Sequence, residues 1–302
     1  MNPTRLLVPI SLVLAALVPA CGANDPTASA GSGTAKFTTW GEEYIEAQIG
    51  PDPAGESGFV DGWTLKYDKF LVVFAGITVA DQSGKAGGTM SGSKLVDNTK
   101  VGKKELVSFT GLEARGWDRV SYQIRPADAG TEIVAGDASD KELMVKNGYS
   151  IYVAGSATKT DAAGKAIKKT FAWGFKIATQ YNECHSEEDG KDTAGIVVKN
   201  GGTDVSELTT HGDHFFYDRL SASPDPMIKT RLRFDEKAKA DDPPNGDGNG
   251  EITLDELAKL PIDVKTYDPS GINAPTLGAF VEALGRTVGH FRGEGECTIS
   301  KL

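Results

Sequence analysis

Residues 245–256 read Asn-Gly-Asp-Gly-Asn-Gly-Glu-Ile-Thr-Leu-Asp-Glu. Oxygen-bearing side chains stand at every second place from Asn245 through Asp247 and Asn249, and Glu256 closes the run. A hard cation such as calcium gathers about six to eight oxygens, and a single short loop can surround it only through a sharp turn, which Gly250 supplies. The expected ligands are Asn245, Asp247, Asn249, the carbonyl of Glu251, Thr253 directly or through water, and both carboxylate oxygens of Glu256. Ile252 provides the apolar anchor that ties such a loop to a core, so the register rests on an independent feature. Shifting the frame by two places would put Ile252 where the glycine must be. The alternative is a solvated Gly/Asn/Asp turn that holds no ion.

A second constellation lies upstream. The chain has four histidines, His185, His211, His214 and His290, and two of them stand in Thr-His-Gly-Asp-His-Phe-Phe-Tyr-Asp at 210–218. Imidazoles with a carboxylate such as Asp213 suit zinc or copper. A His-x-x-His spacing puts both rings on one side of a turn or helix, whereas an extended strand would point them to opposite faces. His185 follows Cys184 and His290 precedes Cys297 closely, so a Cys184–Cys297 bond would bring those two rings within reach. A variant draws carboxylates from Glu42, Glu43 or Glu46. The alternative is structural: His211 and Asp213 cap a turn, His214 packs beside the following aromatics, and His290 is on the surface.

The 245–256 loop resembles the EF-hand family over its own length, with two departures. Asn245 stands where an aspartate is usual, leaving Asp247 and Glu256 as the only formal charges in the loop's ligand set. Charge count tunes affinity, so the expected Kd lies at the extracellular end, roughly 10⁻⁴–10⁻³ M. Pro243-Pro244 immediately precedes the loop and cannot be part of an entering helix. A helix from Met227 to about Ala240 should therefore stop early, leaving loop plus exit helix.

The first residues locate the protein. Arg5 precedes an apolar run from Leu6 to Val18, too short to span a bilayer and shaped like a secretory signal over 1–20. Val18-Pro19-Ala20-Cys21 resembles a bacterial lipobox, which implies cleavage before Cys21 and acylation of its thiol. The competing reading is an ordinary signal peptide cut near Ala20. Gly22, in place of aspartate, is compatible with sorting to the outer membrane. The Ala/Ser/Gly/Thr-rich stretch that follows, with Cys21 a segment over 21–36, reads as a lipidated flexible tether. With Cys21 lipidated, Cys184 and Cys297 are the remaining thiols, and in an oxidising compartment they are expected to pair. Neither sits in a Cys-x-x-Cys pair, which argues against metal ligation.

Between 37 and 223 period-two patterns dominate: Trp63, Leu65 and Tyr67; Val120, Tyr122 and Ile124; Ile151 and Val153; Phe171, Trp173 and Phe175. Bounded by Gly, Asp, Asn and Ser clusters, they predict a mainly β region closed as an antiparallel β-sandwich. Helical signal there is confined to the segment around Trp40–Ile45. From 224 to 302 the pattern changes to the EF-hand-like loop and C-terminal α-helices packed on the sandwich. Leu277, Phe280, Val281, Leu284 and Val288 form a helical stripe, with Asn273 as N-cap, Pro275 in the first turn and Gly289 near the stop. His290 falls off that stripe.

Lysine and arginine number 32 against 42 acidic residues, a net charge of −10. That surface repels phosphate and has no basic stripe, so nucleic acid is excluded as a partner, while cations are concentrated. The lipobox, Trp-Gly-Glu-Glu-Tyr-Ile-Glu at 40–46, Asp-Gly-Trp at 61–63, His-Gly-Asp-His-Phe-Phe-Tyr-Asp at 211–218, the loop, and Gly-Glu-Gly-Glu-Cys at 293–297 together resemble a group of uncharacterised bacterial lipoproteins. The resemblance covers most of the mature chain and implies no activity.

These features predict a non-enzymatic, lipid-anchored protein of the bacterial cell envelope, facing periplasm or exterior. Its partners would be the membrane, through the N-terminal lipid, and metal ions: calcium for structure and a transition metal, zinc or copper, at the histidines. A zinc-dependent hydrolase of the envelope and an adhesion or assembly module are the alternatives. No His-Glu-x-x-His or Gly-x-Ser-x-Gly signature supports an enzyme.

Overall fold

Alternation of apolar side chains builds the sheets, and the buried face is the one the pattern marks. Trp63, Leu65 and Tyr67, then Val120, Tyr122 and Ile124, then Phe171, Trp173 and Phe175 are all buried. The computed structural model describes residues 31–302 apart from 189, 190, 222 and 226. The leader, Cys21 and the tether up to residue 30 lie outside the described residues. Strand accounts for 44% and helix for 15%, so the class is mainly β, with a strongly curled half-barrel sheet and a few short helices.

The curl originates in the strand Thr64–Ala80. One edge of it pairs first with Ile151–Thr160 and then with Arg119–Ile124, while the other pairs with Ser93–Asp97 and Ala86–Thr89. Register shifts between Tyr67 and Lys69 and between Ala75 and Thr78 bend it, and Gly76, at φ 56°, supplies the left-handed residue of the second bulge. A second, four-stranded sheet runs in the order Gly289–Phe291, Thr203–Thr210, Ser32–Trp40, Lys104–Glu113. Within it Ser32–Trp40 and Thr203–Thr210 are parallel. Alternation alone suggested antiparallel pairing throughout; it cannot distinguish the two directions when both faces of a strand are covered.

Several local expectations are corrected. The strand Ser32–Trp40 begins inside the stretch read as tether, because Ala35 and Phe37 alternate into the core. A helix at Ala138–Asn147, which the apolar pattern does not reveal, is set by its ends: Asp137 and Asp140 form a capping box and Gly148 closes it in the left-handed conformation. It presents little apolar surface, with Met144 buried beside Leu71, Val73 and Leu95 on the outer face of the sheet. The helix expected from Met227 is reduced to Asp235–Ala238 and a 3-10 turn Lys239–Asp241. Leu232 instead bridges to Phe59 and Tyr217 as extended chain. The last helix is Leu277–Leu284, capped by Thr276, whose Oγ1 accepts from Ala279 N at 3.2 Å. Asn273 is not its cap, and the helix stops before Val288: past its C-cap Gly285 the bonding tightens to Arg286 N on Ala283 O at 3.1 Å and Thr287 N on Leu284 O at 2.9 Å.

Residues 224–302 share the core of the sheets. Phe216 lies 5.4 Å from Phe59, 6.1 Å from Trp173 and 5.7 Å from Phe234, ring centre to ring centre. Burying an aromatic side chain of this size contributes roughly 1.5–3 kcal/mol, and Phe215 and Phe216 are both fully buried. They therefore fix the short segment that carries His214.

Candidate metal centres

The histidine site forms where two parallel strands end together. Trp40 and Thr209 are register partners, so the chain leaving Ser32–Trp40 delivers Glu42 beside the His211 that follows Thr203–Thr210. His290 pairs with Thr209 from the antiparallel side, and His211 N donates to Val288 O at 2.9 Å. A turn carries the chain from His211 into the 3-10 helix Asp213–Phe216, which lets both histidines of the His-x-x-His pair face one point. Gly212 is required there. A Cβ on it would sit 2.6 Å from Ile45 Cγ1 and 2.9 Å from Tyr67 Cε2, and Tyr67 OH donates to its carbonyl.

The rings of His211 and His290 are 4.4 Å apart, those of His211 and His214 5.2 Å, and those of His214 and His290 5.1 Å. Two groups of potential ligands share His211: His211, Asp213 and His214; and His211, His290 and Glu294. Within each, ligand atoms lie within 4.8 Å of one another. Glu42 Oε2 approaches His211 Nδ1 at 3.5 Å, while Nε2 of that ring lies 3.4 Å from Gly293 O. His214 Nδ1 bonds Thr287 Oγ1 at 2.9 Å, and Tyr217 OH donates to Asp213 Oδ2 at 2.8 Å. Among the described residues, Asp213 Oδ1 is buried without a hydrogen-bond partner. A buried acceptor without a donor is rare because it forfeits its hydration, so the Asp213 carboxylate beside the imidazoles fits a cation.

Burial also sets protonation. It holds His214 well below the usual imidazole range, helped by His211 and His290, and lowers His290 to about 4. Neutral imidazole is the ligating form. Burial raises Asp213 and Glu42, and His211 opposes both shifts. Glu42 further has φ 51°, a left-handed conformation that a residue with a side chain adopts at some strain, and Arg292, two residues before Glu294, has φ 53°. Both carboxylates are thus delivered by unusual backbone. A cleft of about 560 Å³ borders the cluster, lined by His214, Tyr217, Arg219, His290 and Glu294 among others.

The disulfide Cys184–Cys297 is formed, with Cα atoms 4.1 Å apart. It does not bring His185 to the cluster. His185 Nδ1 bonds Asp192 Oδ1 at 2.5 Å across the hairpin formed by His185–Glu188 and Lys191–Ala194, and its side chain is 42% exposed. Glu46 also points elsewhere, accepting from Gly102 N at 2.9 Å. Nothing in the spacing marks Tyr217 or Thr287 as neighbours of the cluster, and Glu294 is signalled only by the Gly-Glu-Gly-Glu-Cys motif.

The loop 245–256 is fastened to the curled sheet. Glu251–Ile252 pairs in parallel with Thr170 and Phe171, Trp173 Nε1 donates to Ile252 O at 2.8 Å, and Ile252 is fully buried. Gly250 has φ 91°. Thr253 and Glu256 form a capping box at the start of Leu254–Lys259. Asp247 and Glu256 lie in one group with a third carboxylate, Asp241, which precedes the loop. Asn249 Oδ1 accepts from Glu251 N at 2.6 Å, and the Asn245 carbonyl accepts from Lys259 Nζ at 3.3 Å.

No protein-family model matches the chain, and no curated protein matches it. Among solved structures it is similar to MbnP from Methylosinus trichosporium, at TM-score 0.30 and 10% identity, over 64% of this chain and 78% of that one. A likeness at that level carries no argument for fold or function.

Proposed function

We propose that this chain is a non-enzymatic, lipid-anchored protein of the bacterial cell envelope. Its histidine cluster binds a transition metal, zinc or copper, and its 245–256 loop holds calcium for structure. Three imidazoles whose ring centres lie between 4.4 and 5.2 Å apart carry the reading, with carboxylates within reach and Asp213 Oδ1 buried without a partner among the described residues. Either His211, Asp213 and His214 or His211, His290 and Glu294 would hold the metal; Glu42 would orient His211. The scaffold is read as a sandwich-like closure of the curled sheet by the four-stranded one. A disulfide favours an oxidising compartment, and the leader, the Cys21 lipobox and Gly22 favour an outer-membrane anchor facing periplasm or exterior.

The zinc-hydrolase alternative draws on one observation, the cleft beside His214 and His290, which would give a metal an open position. Elemental analysis of the full chain, purified from the envelope in detergent and dialysed against low-micromolar zinc and copper, tests the main reading. Stoichiometric metal is expected, lost in His211→Ala with circular dichroism unchanged. Retention of metal by that variant, or no metal in the wild type, would sink it.

A further inference from the structure

The loop's own ligands include only two charged side chains, Asp247 and Glu256, yet a third carboxylate is folded into the same place. Asp241 ends the 3-10 turn that precedes the two prolines, outside the loop, and is fully buried. Its main-chain oxygen accepts from Gly248 N at 2.7 Å and its Oδ2 from Gly250 N at 3.1 Å. The loop closes directly over it: a Cβ on Gly246 would fall 2.4 Å from the Asp241 carbonyl oxygen. Carboxylate oxygens of Asp241, Asp247 and Glu256 lie within 4.8 Å of one another, and Asp241 Oδ1 is buried with no hydrogen-bond partner among the described residues. A buried, charged oxygen without a donor is expensive to maintain unless a cation meets it.

We infer that Asp241 is a direct ligand of the calcium ion taken by the loop, supplying the carboxylate that Asn245 lacks, and that Lys169 stands in for the ion in the metal-free protein. The inference rests on the calcium reading above. Lys169, from the strand Ala166–Phe175, pairs with Asp241 Oδ2 and lies 3.5 Å from Asp242 Oδ1. Its ammonium neutralises part of the cluster until calcium displaces it. Three carboxylates around a divalent ion also move the expected affinity above that of a two-carboxylate loop.

Calorimetric titration of calcium into the full chain, stripped with chelator beforehand, tests this with three variants. Asp241→Asn should weaken binding by roughly tenfold or more. Lys169→Met should tighten it, because the competing cation is gone, and it decides the matter if Asp241→Asn does not fold. Glu256→Gln should abolish binding. Wild-type affinity in both Asp241→Asn and Lys169→Met, with Glu256→Gln inactive, would overturn the role of Asp241 and leave the loop reading intact. A wild type that binds no calcium would overturn both.

Discussion

The 245–256 loop would take nearly all its ligands from one short run, Asn245 to Glu256, whereas the histidine cluster draws His211, His290 and Glu294 from the middle and end of the folded chain and sets Glu42, from its beginning, against His211. Local order fixes the first: a glycine turn, a capping box and one buried isoleucine hold its oxygens together. Only tertiary structure fixes the second, through the parallel pairing that aligns Trp40 with Thr209 and the antiparallel pairing that sets His290 opposite the same residue. The two sites should therefore fail differently when long-range connections are cut.

The disulfide is the sharpest way to test that contrast. It closes a separation of 113 residues and ends three residues beyond Glu294. In the chain-entropy model a loop of this length stabilises the fold by about 4–5 kcal/mol. Cys297→Ser should lower the unfolding free energy by an amount of that order, read as a fall in the urea midpoint equal to that loss divided by the m-value. Below the unfolding transition it should also release transition metal while leaving calcium binding close to wild type, since Asp241, Asp247 and Glu256 have no link to Cys297. Urea denaturation followed by fluorescence, together with metal analysis, reads both effects. Equal loss at the two sites would show that they are one cooperative unit and erase the distinction.

The same contrast explains what could be read from sequence. Alternating residues such as Trp63, Leu65 and Tyr67 named their buried face because strand period and burial are local properties. The loop's turn and apolar anchor are legible for the same reason, in Gly250 and the fully buried Ile252. Asp241 was not, because the intervening Pro243-Pro244 suggests an end to the motif when in the fold the chain doubles back over it. Proximity of His211 and His214 follows from the His-x-x-His spacing and that of His290 from the expected Cys184–Cys297 bond, but the carboxylates that accompany them depend on strand order, which no spacing encodes. The disulfide misled in one respect: adjacency to Cys184 does not determine where the His185 ring points, and cross-strand pairing with Asp192 decides it. The apolar stripe continues to Val288, but the helix gives way after Leu284 to i→i+3 bonds from Arg286 and Thr287, which the stripe does not encode.

A smaller effect should separate stability from metal retention at the cluster. Asp213 is buried, its carboxylate is only half satisfied, and burial raises its pKa. Asp213→Asn keeps an oxygen for the Tyr217 hydroxyl and removes the buried charge. The metal-free protein should gain about 1–2 kcal/mol, while the metal-loaded protein gains less or loses stability because a charged ligand has gone. Thermal unfolding with and without metal gives the comparison. A variant less stable than wild type in the metal-free form would mean that Asp213 is held by contacts rather than kept for a cation.

The gentlest probe is pH, and its sign follows from the histidines. In the metal-free protein His290 titrates at about 4 and His214 also lies well below 6.5, so the unfolded chain takes up protons on these rings before the folded one does. Their contribution to stability is complete above pH 6.5 and is lost progressively as pH falls from there towards 4. Glu42 and Asp213 act in the opposite sense: burial raises them, so the folded protein keeps their protons longer and their unfavourable contribution grows as pH rises above the ordinary carboxylate range. The net slope between pH 4 and 6.5 should therefore be shallow in the wild type and steeper in Asp213→Asn, which removes one opposing group. Proton NMR of the imidazole resonances, with chemical denaturation at each pH, tests the assignment directly. A His290 resonance that titrates near 6.5 would show that the ring is solvated in the free protein, and the cluster would then resemble the exposed His185 rather than a site kept ready for metal.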